Sequence, residues 1–135
     1  MIEMLDGFIY ITSKIKHAPK WRKLAEEGWP LCCSWIFMDL DPEDSNQMSQ
    51  AWEQMIDDCK RSRILIIYRE EGEQLKGGLI EIGAVLGNGG RIFLVGAMPD
   101  LIEGNRDFRV PVIQFPDIES ALVAAIKELS TVDST

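Results

Sequence analysis

Apolar residues in this chain fall into short dense runs, separated by longer stretches in which they recur every three or four positions. Residues 8–12 (FIYIT), 31–37 (LCCSWIF), 63–68 (RILIIY), 91–95 (RIFLV) and 110–115 (VPVIQF) are rich in β-branched and aromatic side chains, which predicts five buried strands. After the first run, Pro19 sits where proline is tolerated, in the first turn of a helix that runs to Glu27 and is closed by Gly28. An acidic, turn-rich loop (DLDPEDSN) follows the second run, and Asp44 or Ser45 in it can cap a helix over residues 47–60. Leu79, Ile80, Ile82, Val85 and Leu86 are spaced for a helix buried on most of its surface and ended by the glycines of residues 87–90. Ala121, Leu122, Ala125, Ile126 and Leu129 mark one face of a terminal helix over residues 118–129.

The order is therefore βαβαβαβαβα, without repeats or low-complexity segments. Near-continuous apolar strands joined by helices predict a five-stranded parallel sheet covered on both faces, with right-handed crossovers, in a doubly wound α/β domain. A chain of 135 residues suits one such domain, residues 1–135, without a linker. Ligands of these sheets bind beyond the carboxyl ends of the strands, which directs attention to the loops after Thr12, Phe37, Tyr68 and Val95.

Charge narrows the partners. A formal net charge of −8 opposes a nucleic-acid polymer, whose binding relies on Lys and Arg neutralising phosphates. Lys14, Lys16, Lys20, Arg22 and Lys23 are a local exception, either an anion-attracting rim or a solvated helix face. No apolar run reaches the roughly 18 residues that cross a bilayer, and Glu3 and Asp6 do not make the basic lead of a signal peptide, so the expectation is a cytoplasmic protein without a membrane partner. Cys32 and Cys33 are adjacent, Cys59 is distant, and the single histidine, His17, has no soft partner nearby, so no metal site is expected. The loop SKIKHAPKW lacks the composition that cradles a flavin phosphate, and no G-x-G-x-x-G follows the first strand, so no cofactor is expected.

The segment EQLKGGLIEIGAVLGNGG places one acid, Glu81, among apolar neighbours. Gly77 and Gly78 precede it, where glycine permits an unusual backbone angle and close approach of a ligand. Glu81 is expected in the first turn of the helix, held ionised by the helix dipole. An ionised carboxylate at a ligand crevice can attack an anomeric carbon or stabilise an oxocarbenium ion. The plainer reading is an acid that only satisfies helix-start donors.

Three segments in order, SKIKHAPKWRKLAEEGWPL, CSWIFMD and YREEGEQLKGGLIEIGAVL, with IYITS before them and GGRIFLVG after, resemble an uncharacterised bacterial and phage branch of the nucleoside 2-deoxyribosyltransferase-like superfamily. The resemblance spans nearly the whole chain, and its hallmark is the E-x-G helix after a glycine-containing loop. It implies a Rossmann-like fold that cleaves the N-glycosidic bond of a nucleoside or nucleotide through a covalent glycosyl-enzyme ester, with water or a second base as acceptor. Glu81 matches the family nucleophile, Tyr10 the tyrosine beside it, Ser13 a position lining the sugar or phosphate pocket, and Gly77 the loop glycine. Asn105 falls in a region that relatives use for ligand contact, often from a neighbouring subunit, which implies a homodimer or larger assembly. The chain departs from the family at Leu75, where relatives carry an acid or small polar residue, and at Met55, where the second catalytic acid maps.

A nucleobase leaves readily only when protonated, so a proton donor is needed. Asp57 and Asp58 are the best candidates, with Glu53 behind them, unless they only face solvent; His17 is a further donor, a phosphate ligand, or neither. Lys14 and Ser13 at the start of the first helix suit a 5′-phosphate, and Gly78 adjoins the ligand loop. Trp35 is a base-stacking candidate or a core residue, with Trp29 and Trp52 assigned to packing. Two functions remain open: a nucleoside or nucleotide N-glycosidase or deoxyribosyltransferase, and a nucleotide-derivative binding module that has lost the proton donor.

Overall fold

The computed structural model describes residues 8–39, 41, 43–74, 77–97 and 112–133. It is a mixed α/β fold around a parallel sheet of four strands in the order β1-β2-β3-β4: β1 (Ile9–Thr12), β2 (Ile64–Arg69), β3 (Arg91–Gly96) and β4 (Val112–Phe115). The helices are α1 (Ala18–Glu26), α2 (Ser45–Arg61), α3 (Gly77–Gly87) and α4 (Ile118–Asp133). Asp44 caps α2 by accepting from the Gln47 amide at 3.1 Å, as its side chain and position suggest. Gly28 closes α1 with a positive φ of 102°. None of the helices among the described residues is long and apolar enough to cross a membrane.

The expected second strand is absent, which leaves four strands instead of five. Only Leu31 bridges to Ile9, with the Cys32 amide donating to the Ile9 carbonyl at 2.8 Å, and residues Ser34–Phe37 then wrap into a 3-10 turn. The reason lies in a side chain. Carbonyls two residues apart on a strand point the same way, so the Ile11 carbonyl faces the same outer edge of β1 as that of Ile9. The Trp35 indole N–H donates to it at 2.9 Å, in place of the amide that another strand would supply. An apolar run of seven residues serves a buried turn as well as a buried strand, and periodicity does not separate the two.

Residues of β1 to β3 are buried at nearly every position, so both faces of these strands are covered. Alternation assigns the faces. Tyr10 and Thr12, with their register partners Leu65 and Ile67, point toward α2 and α3. Ile11, Ile66 and Tyr68 point the other way, where the Tyr68 ring meets Trp21 of α1 edge-on at 5.0 Å. Phe93 and Phe115 continue this face toward α4, their rings 4.8 Å apart. β4 is only half-covered, with Ile113 and Gln114 exposed.

At the carboxyl end of the sheet the chain crosses closely above β2. Gly96 has φ of +100°, and a Cβ there would lie 2.0 Å from the Arg69 carbonyl oxygen, which also accepts from the Ala97 amide at 2.8 Å. Both the backbone angle and the clash exclude a side chain. Gly96→Ala is expected to cost about 2–4 kcal/mol in denaturant unfolding, whereas a loss below about 0.5 kcal/mol would mean that this crossing relaxes freely.

Candidate functional site

Glu81 is the fifth residue of α3 and lies beyond its first turn, which contains no acid. The helix begins at Gly77, so Gly77 and Gly78 form its first turn instead of a left-handed loop. Glu81 therefore does not meet the free amides of the helix start. Its side chain turns inward to the end of β1, where the Thr12 hydroxyl donates to Glu81 Oε1 at 2.8 Å. Relative exposure is 6% for Glu81, 2% for Thr12 and 0% for Tyr10. The Tyr10 phenol abuts the same carboxyl and favours its charge. Neither the phenol oxygen nor Glu81 Oε2, however, completes a hydrogen bond of good geometry.

Burial dominates the electrostatics. Desolvation pushes the Glu81 carboxyl up to about 7, against the Tyr10 and Thr12 hydroxyls that pull it down. This overturns the expectation of a carboxylate held ionised by the helix dipole. Burial, and then the Glu81 charge, push the Tyr10 hydroxyl far above its ordinary range, so it stays a neutral donor. The thiols around it are equally quiet: burial pushes Cys33 up to about 12 and raises Cys32 and Cys59 as well.

The remaining expected site residues divide. Asp57 is exposed on α2. Asp58 is fully buried and committed: Oδ2 accepts from the Ser34 amide at 2.9 Å, and Oδ1 from Gln54 at 3.0 Å and from Arg61. It clamps the 3-10 turn to α2 and is not free to protonate a leaving base. Trp35 is core, its indole spent on Ile11. Ser13 accepts from the Trp21 indole at 2.9 Å and donates to the Lys14 carbonyl at 3.0 Å, so it joins β1 to α1. Met55, at the position of the family's second acid, is buried. Asn105 and Leu75 lie outside the described residues.

His17 is buried, its Nε2 2.9 Å from Glu73 Oε2 and its ring edge-on to Tyr68 at 4.9 Å. Although burial raises the Glu73 carboxyl, the Glu70 amide, His17 and Lys16 together hold it down to about 2. His17, Glu70 and Glu73 offer ligand atoms within 4.8 Å of one another, a grouping a metal could use. Here Lys16 lies 3.3 Å from Glu73 and Lys20 3.5 Å from Glu70, so ammonium groups already supply the positive charge. Part of the expected basic rim is thereby neutralised by the acidic loop after β2. Lys14, half-buried, lines a surface cavity of about 600 Å³ with Lys16, Gly72, Glu73 and Gln74, and remains a candidate for an anion.

A larger cavity of about 830 Å³ opens between α1 and α4 over the carboxyl ends of β2 and β3, against Trp21, Tyr68, Val95 and Ile118. Glu81 is not among its lining residues; it belongs to the α3 side of the sheet. Thr12 is the site residue that sequence reasoning missed, and period-two alternation with Tyr10 was the signal that could have found it. Comparison with protein-family models, with curated proteins and with solved structures finds no match.

Two outcomes are expected. Below pH 4.5 Glu81 is protonated in the folded and unfolded chain alike; between 4.5 and about 7 only the folded chain keeps the proton, so stability falls as pH rises. Glu81→Gln, which still accepts from Thr12, should therefore gain about 3 kcal/mol over wild type between pH 4 and pH 8 in denaturant titrations, and a constant difference across that range would contradict the buried carboxyl. Asp58→Ala should lose about 2–3 kcal/mol by leaving the Ser34 amide and Arg61 unpaired, as read by urea unfolding, and a stable variant would return Asp58 to the list of chemical candidates.

Proposed function

We propose that this chain cleaves, or transfers to a second base, the N-glycosidic bond of a nucleoside or nucleoside 5′-monophosphate, on a Rossmann-like scaffold of the nucleoside 2-deoxyribosyltransferase type and without a metal or organic cofactor. The observation that carries the reading is the buried Glu81 carboxyl at the carboxyl end of β1, fixed through Oε1 by Thr12 with the Tyr10 phenol against the same carboxyl, while Oε2 completes no hydrogen bond of good geometry. Buried polar atoms are nearly always satisfied, and exceptions concentrate where a ligand or water completes the set. The carboxyl end of a parallel sheet is also where ligands bind.

In this reading Glu81 Oε2 attacks the anomeric carbon, the bond to the base nitrogen breaks with its electron pair, and the sugar is held as a glycosyl ester. Water, or the nitrogen of an incoming base, then displaces Glu81. The neutral Tyr10 hydroxyl donates toward Glu81 or a sugar oxygen. Lys14, which lines the cavity of about 600 Å³ with Lys16, suits a 5′-phosphate. A homodimer or larger assembly belongs to the same proposal.

A second reading, a nucleotide-derivative binding module, is favoured by one observation: neither Asp58 nor the residue at position 55 can give a proton to the leaving base, the former being committed and the latter Met55. Chromatography of a panel of ribo- and deoxyribonucleosides, their 5′-monophosphates and NAD, with and without free adenine, separates the two. The glycosidase reading expects base release or exchange that disappears in Glu81→Gln and rises about tenfold per pH unit up to about 7, where the nucleophile becomes ionised. A thermal shift with one ligand and no release from any would establish the binding module.

A further inference from the structure

Thr12 and Glu81 are 69 residues apart and meet through a single bond in the interior. A threonine hydroxyl has one proton, and here it is given to Glu81 Oε1 at 2.8 Å. The strand backbone fixes the direction of the side chain, and β-branching restricts its rotation, so the donor is held by β1 and not by the helix it serves. The two carboxylate oxygens are thus made unequal. Oε1 is engaged, while Oε2 is buried and completes no hydrogen bond of good geometry.

We infer that Thr12 is a positioning residue for Glu81: its hydroxyl pins Oε1 and thereby selects Oε2 as the oxygen presented to the anomeric carbon. This inference rests on the reading of Glu81 as the nucleophile. The other titratable groups that bear on the carboxyl are Tyr10 from β1, Cys33 from the turn after Leu31 and Cys59 from α2, all held neutral by burial, so Thr12 is the partner whose removal isolates one hydrogen bond. Thr12 also differs from an ordinary buried hydroxyl, which in this chain bonds a nearby backbone carbonyl, as Ser62 does with Cys59 at 2.8 Å.

The test compares wild type with Thr12→Val, which keeps the shape and removes the donor, and Thr12→Ser, which restores it. Two readouts are taken: the titration midpoint of the Glu81 carboxyl by carbon-13 NMR, and steady-state kinetics on the substrate found with the base-release panel. The expected result for Thr12→Val is a midpoint raised by about one pH unit, a kcat at pH 7 lowered at least tenfold and a KM within twofold of wild type, with Thr12→Ser returning all three toward wild type. A Thr12→Val protein that titrates and turns over like wild type overturns the inference, as does one that loses thermal stability alone. If Thr12→Val fails to fold, Thr12→Ala is measured in the same way. If Glu81→Gln retains turnover, the glycosidase reading fails by that result, and the NMR midpoint alone decides whether Thr12 positions the carboxyl.

Discussion

The covering of β1, β2 and β3 on both faces constrains everything else in this molecule. Polar side chains buried between these layers do not reach bulk water, so each must bring a partner or be left at a cost. The buried polar groups follow this rule almost throughout: Asp58 holds the Ser34 amide, Ser62 its own helix end, His17 the Glu73 carboxylate, and Thr12 one oxygen of Glu81. Among the described residues the rule fails at two side-chain atoms, the Tyr10 hydroxyl and Glu81 Oε2. A failure confined to one spot is more informative than the same two atoms would be at a loose surface, because the rest of the interior shows how readily this chain satisfies such groups.

The pair also conflicts with stability. A carboxyl whose ionisation burial opposes makes the fold weaker as it ionises, since charging it is what desolvation penalises. A structural acid is placed where its charge is welcome, as Asp44 is at the start of α2 and Asp117 at the start of α4. Glu81 is placed where its charge is unwelcome, and that contrast within one chain supports a role other than capping.

Much of the fold was legible in the sequence for the same reason. Strands buried on both faces must be apolar at consecutive positions, so β1, β2 and β3 were visible as runs, and their ends are displaced by only a residue or so. The run at residues 31–37 misled because Cys32, Cys33, Trp35 and Ile36 are buried as a strand's residues would be, while an indole N–H does the work of a backbone amide. Hydrophobicity does not encode that substitution. Asp57 and Asp58 were inseparable by type and position, and one hundred degrees of helix rotation sends the first to solvent and the second into the core. Glu81 stood out as a charge among isoleucines, but its electrostatics depended on where α3 begins, and the glycine pair that suggested a loop is part of the helix instead.

The Trp35 bond to Ile11 reaches further than the missing strand. With the Ile9 carbonyl taken by Cys32 and the Ile11 carbonyl by a buried indole, the outer side of β1 is plugged, and a foreign strand would have to expel a tryptophan from the core to dock there. The opposite margin, β4, carries exposed Ile113 and Gln114 along its faces. Growth of the sheet by strand addition is therefore closed on the β1 side, the side on which Thr12 and Glu81 meet.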